Sequence, residues 1–121
     1  MAKYECRVKG DFDKLIRVLE SGILEGSVSA TLEEKSDFVS GDARCSVRVF
    51  ERYSHAGGNR VSMTVVLFRN GESDIEMSTV TTGGSQAVFF KVNTWGEEAF
   101  LDKMKEILMA YRTEESDVFK V

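Results

Sequence analysis

At 121 residues, with 42% hydrophobic, 30% charged and 10% aromatic side chains, the chain has the size and composition of one globular domain. A net charge of −4 and a pI near 5.1 argue against any global attraction to nucleic-acid phosphates or anionic lipid, so nucleic acid is not an expected partner. No apolar run approaches the ~20 residues a membrane span needs, and Met1 to Glu5 carries no apolar signal-peptide core, which makes the cytoplasm the expected compartment and a membrane partner unexpected.

Lys3 to Lys9 alternates without a fault, the period of a half-buried strand, with Tyr4, Cys6 and Val8 facing in. Gly10 breaks it, and Asp11 is placed to cap a helix whose Phe12, Leu15, Ile16, Leu19 and Ile23 fall on one side. Gly22 weakens the last turns, and the helix is expected to stop by Gly26. A second strand is expected directly from Ser27, with Val28, Ala30 and Leu32 inward; it fades through Glu34 to Asp37 and resumes at Phe38 and Val39 before the turn Ser40-Gly41-Asp42.

The next three segments, Arg44 to Thr82, read as an antiparallel meander. On the third strand Cys45, Val47, Val49 and Tyr53 form the apolar side, which alternation alone assigns to the core; Arg44, Ser46, Arg48, Phe50 and Arg52 take the other. Ser54 to Asn59, with Gly57-Gly58 and His55, reads as a hairpin loop. Val61, Met63, Val65 and Leu67 face in on the fourth strand, with Arg60, Ser62, Thr64, Val66 and Phe68 behind. On the fifth, Ile75, Met77 and Thr79 face in and Asp74, Glu76, Ser78 and Val80 out.

Asn70-Gly71 signals a hairpin between the fourth and fifth strands. A two-residue loop would set Val66 opposite Ile75 and Phe68 opposite Ser73, placing the polar side of one strand against the apolar side of the other. One extra loop residue restores the match and sets Leu67 opposite Ile75, so a three-residue loop with a bulge at Gly71 is expected. Beyond Gly83-Gly84, residues 86–92 are strongly apolar and fit either a sixth strand or a packed approach to the last helix. Thr94-Trp95-Gly96-Glu97 has the form of a capping box opening a helix with Phe100, Met104, Ile107, Leu108 and Tyr111 on one side. Residues 1–112 thus form a single α+β domain, and 113–121 a polar tail expected to fray. The fold class is β-α-β(4–5)-α, a curved antiparallel sheet with both helices on one face.

Catalytic chemistry finds little support. His55 has no neighbouring base or acid and reads as an exposed loop residue. With no histidine or cysteine cluster, no metal site is indicated, and no motif asks for a cofactor. Thr81 to Gln86 is able to form an anion-holding nest, but it lacks the phosphate-loop pattern, and a sheet corner explains its glycines. Glu33, Asp74 and Glu76 lie on water-facing positions where pairing with Arg44, Arg48 and Arg60 accounts for them. Cys6 and Cys45 fit small buried hydrophobes, and a disulfide requires their strands to be neighbours.

Two features point to binding. Phe50, Val66, Phe68 and Val80 fall on the side of the meander away from the helices, with Arg48, Arg52 and Glu76 around them, a patch suited to back-to-back pairing of sheets in a homodimer. Alternatively, Met63 and Met77 on the sheet with Phe100 and Met104 on the last helix are placed to line a pocket for a small apolar ligand.

Element order and three motifs, Ile23 to Ser29, Gly83 to Ala87 and Trp95 to Leu101, resemble a small uncharacterised bacterial family of unknown function, over nearly the whole chain to about Arg112. The order β-α-β4-α resembles the TBP-like and helix-grip (START-like) folds. That resemblance implies either an apolar ligand between sheet and long helix or nucleic acid on the sheet; the chain lacks the additional helix of many helix-grip proteins and is acidic. The expected function is a non-enzymatic interaction module forming a homodimer, with the apolar-ligand binder as the alternative.

Overall fold

The computed structural model describes residues 1–54, 59–83 and 94–118. Its elements run β1 (Ala2–Val8), α1 (Phe12–Glu25), β2 (Thr31–Ser40), β3 (Ala43–Ser54), β4 (Asn59–Asn70), β5 (Ile75–Gly83) and α2 (Thr94–Val118). The strands form one five-stranded antiparallel sheet in the order β1-β5-β4-β3-β2, an α+β fold with both helices against one face. Strands β2 to β5 are a meander, and β1 returns to pair with β5, so α1 carries the chain from one edge to the other.

Helix α1 is set by its sequence. Asp11, extended at φ −89°, accepts a hydrogen bond from the Lys14 amide at 3.0 Å and caps the helix. Phe12, Leu15, Ile16, Leu19 and Ile23 are all buried, and Gly26 stands at the C-cap. Gly22 serves packing rather than weakness: a Cβ there would lie 2.8–2.9 Å from the Ile107 side chain, so its absence lets α1 and α2 approach closely. Helix α2 buries Phe100, Leu101, Met104, Leu108 and Tyr111, and the Tyr111 hydroxyl accepts from the Asp11 amide at 3.1 Å, joining the two helices at the α1 N-terminus. It continues through 113–118, residues that composition assigned to a polar tail.

Two expected details of α2 and β2 change. Thr94, the expected cap, is itself the first helical residue, and Glu97 reaches to the end of β5 and to Met1, just before β1. Buried at 6% exposure, its carboxylate accepts from the Gly83 amide at 3.0 Å and pairs with the Met1 amino group, holding the helix start to the end of β5. A Cβ on Gly83 would sit 2.8 Å from the Glu97 Oε1, which accounts for the glycine. Strand β2 begins at Thr31 rather than Ser27, and Val28 is fully exposed in the turn before it. At the free edge of the sheet β2 is exposed almost throughout, with a bulge between Leu32 and Glu34.

The β4–β5 register obeys the parity rule but not the expected loop length. Leu67 pairs with Met77 rather than Ile75, and residues 71–74 stand outside both strands. Like-faced residues still meet, because the shift from the three-residue loop is two positions. Gly71 is left-handed at φ +62°, a conformation that favours glycine, so the turn signal at Asn70-Gly71 is used within a longer connection. The sixth-strand question at 86–92, the Gly84 to Gln86 part of the glycine stretch and His55 lie outside the described residues.

Candidate functional site: the two faces of the sheet

The pairing register lays the sheet out as rows of side chains. Facing the helices, one row reads Cys6, Met77, Leu67, Ser46, Asp37 from β1 to β2; the next reads Tyr4, Thr79, Val65, Arg48, Lys35; the third reads Ala2, Thr81, Met63, Phe50, Leu32. Val61 and Arg52 pair in the row beyond. The face is apolar under α2, at β5 and β4, and becomes polar at β3 and β2.

Phe50, Arg48 and Arg52 therefore lie on the helix side, opposite to the side that alternation assigned them. Phe50 is fully buried in the core, and Arg48 is 8% exposed. The physical reason is a set of acids waiting above them. Arg48 Nε donates to Glu20 of α1 at 2.5 Å and Nη1 to Asp37 of β2 at 3.0 Å, while Ser46 donates to the same Asp37 at 2.6 Å. Arg44, on the same side, pairs with Asp13 of α1 at 2.7 Å and stacks over Phe12 at 4.4 Å. Four residues of strand span ~13 Å and seven of helix ~10.5 Å, so Asp13 and Glu20 run alongside Arg44 and Arg48 as two rungs between α1 and β3. Burial alone would lower the Arg48 pKa, but hydrogen bonds to Glu20 and Asp37 outweigh it and raise it. Asp37 is held below the ordinary aspartate value of 3.8 by the Ser46 hydroxyl first and Arg48 next.

Arg52 differs. Its guanidinium lies 4.5 Å above the Phe100 ring, and burial pulls its pKa down, with no carboxylate pairing to it among the described residues.

The pocket residues of the alternative reading, Met63, Met77, Phe100 and Met104, are all buried in one core cluster, none more than 3% exposed. Met109, by contrast, is 59% exposed on the outer side of α2.

The opposite face carries no element among the described residues. Its rows read Arg7, Glu76, Phe68, Cys45, Phe38; then Glu5, Ser78, Val66, Val47, Ser36; then Lys3, Val80, Thr64, Val49, Glu34. Val66, Phe68 and Val80 thus lie where sequence put them. Their apolar neighbours are Cys45, Val47 and Val49 of β3 and Phe38 of β2, rather than Phe50. Phe68 and Phe38 are 42% and 62% exposed, while the valines are partly exposed. Charge is confined to the margins, where Arg7 pairs with Glu76 at 2.8 Å, Lys3 with Glu5 at 3.5 Å and Arg60 with Glu51 at 2.7 Å. Beside Phe68, between β4 and β1, lies a depression of about 440 Å³ bordered by Val66, Ser78, Glu76, Glu5 and Arg7.

Each arginine that sequence offered to Glu33, Asp74 or Glu76 is paired elsewhere: Arg44 with Asp13, Arg48 with Glu20 and Asp37, Arg60 with Glu51. Cys6 and Cys45 are both free thiols, on non-adjacent strands and on opposite faces, and Cys45 is on the open one rather than in the core. Among the described residues no cluster of three His, Cys, Asp or Glu side chains is arranged to hold a metal. Nor, among the described residues, is any helix long and apolar enough to cross a membrane.

A family model of a family of unknown function, DUF6054, matches residues 1–112. The chain belongs to that family. The matched span covers all five strands and α2 as far as Arg112, so both faces of the sheet belong to the family's domain. No curated protein and no solved structure matches the chain.

Proposed function

We propose that this family member is a non-enzymatic interaction module that forms a homodimer through the open face of its sheet. The observation that carries it is the uninterrupted apolar centre of that face: Cys45, Val47 and Val49 on β3 beside Val66 and Phe68 on β4, with Phe38 and Val80 flanking. At strand spacings of ~4.8 Å and two-residue steps of ~6.6 Å, these seven positions project over roughly 220 Å². The apolar positions of this centre are contiguous rather than scattered and its rim is charged, the layout of a protein contact. Sheet-on-sheet packing places two such faces ~10 Å apart and buries both. The acidic net charge and the pairing of Arg44, Arg48 and Arg60 with carboxylates weigh against nucleic acid as the partner. Two free thiols fit a reducing, cytoplasmic setting. The element order and the strand order β1-β5-β4-β3-β2 favour the TBP-like or helix-grip class as the architectural relative.

An apolar ligand between α2 and the sheet draws no support from Met63, Met77, Phe100 and Met104, which fill that space themselves. The test is light scattering on the purified chain. A dimer mass at micromolar concentration is expected, falling to the monomer mass in Val47→Asp, whose charge enters the middle of the patch while the helix-side core is untouched. A wild-type chain that scatters as a monomer throughout the micromolar range overturns the proposal, as does a Val47→Asp chain that remains dimeric.

A further inference from the structure

We draw no further inference here: the strongest candidate, the depression of about 440 Å³ beside Phe68 between β4 and β1, belongs to the open face already described, its charged rim is paired within itself through Arg7–Glu76 and Lys3–Glu5, and nothing in the structure shows what covers it.

Discussion

Arg48 decides which way β3 faces, and with it the composition of both sides of the sheet. It is 8% exposed beneath α1, bonded to Glu20 at 2.5 Å and to Asp37 at 3.0 Å. Glu20→Gln leaves the guanidinium buried with a neutral acceptor on its Nε. Hydrogen bonds to charged groups contribute ~1.5–3 kcal/mol; the Glu20 side chain is 27% exposed and Asp37 remains as a second partner, so a loss of about 1–2 kcal/mol is expected. Asp37→Asn should cost less, under ~1 kcal/mol, because the Asp37 side chain is 51% exposed and screened by water. Arg48→Met removes the buried charge altogether, and the acids it leaves can turn to solvent; such replacements are often near neutral. In the Arg48→Met background Glu20→Gln should then have no effect, giving a coupling of about 1–2 kcal/mol in a double-mutant cycle. Thermal melts resolve this, since one kcal/mol moves Tm by roughly 3–6 °C for a domain of this size. An unchanged Tm in Glu20→Gln, or a change of oligomeric state in Arg48→Met, would refute the placement of Arg48 under the helix.

Three further outcomes follow from the packing. Gly22→Ala should destabilise by about 1–2 kcal/mol despite alanine's better helix propensity, because its Cβ meets the stiff, β-branched Ile107; Ile107→Ala in the same chain should recover most of the loss on a urea curve. Thr79, fully buried, leaves its hydroxyl without a hydrogen bond among the described residues, so Thr79→Val should stabilise by ~1 kcal/mol; Thr81→Val, which loses a 3.0 Å bond to the Glu97 carbonyl, should destabilise. Asp13 is held low by its hydrogen bond from Arg44, and Asp37 by Ser46 and then Arg48. A carboxylate with a depressed pKa stabilises the fold above its unfolded value and loses that contribution as pH falls through the folded one. Tm should therefore hold from neutrality to about pH 4 and drop below it, less steeply in Asp37→Asn.

The element order, the Asp11 cap and the buried stripes of both helices were legible because each rests on local periodicity or capping chemistry. The side of β3 was not. Alternation shows which residues share a face, and the usual assumption sends the apolar set inward; here Cys45, Val47 and Val49 face out because Arg44 and Arg48 find their acids on α1. Two signals bear on it. Asp13 and Glu20, seven apart on one helix, match Arg44 and Arg48, four apart on a strand. The parity test that excludes a two-residue loop at Asn70-Gly71 applies equally to the β3–β4 hairpin: pairing Ser54 with Asn59 sets Val47 against Val66 and forces the two apolar rows onto one face. Val66, Phe68 and Val80 were placed correctly because β4 and β5 keep their apolar inner faces; Phe50, Arg48 and Arg52 were not, since they moved with β3. The close approach of Gly22 to Ile107 and of Gly83 to Glu97 joins residues far apart in the chain, and no local pattern announces either.

Cys45 offers the most direct test, as a native thiol in the middle of the open face, paired across to Phe68. Its rate of alkylation, followed by peptide mapping alongside the helix-facing Cys6 across a range of protein concentrations, reads both association and the face used. The expected result is fast modification of Cys45 in dilute protein, slowing as concentration rises and the dimer forms, with Cys6 unaffected by concentration. A Cys45 rate that stays constant while the chain dimerises would contradict the open-face homodimer.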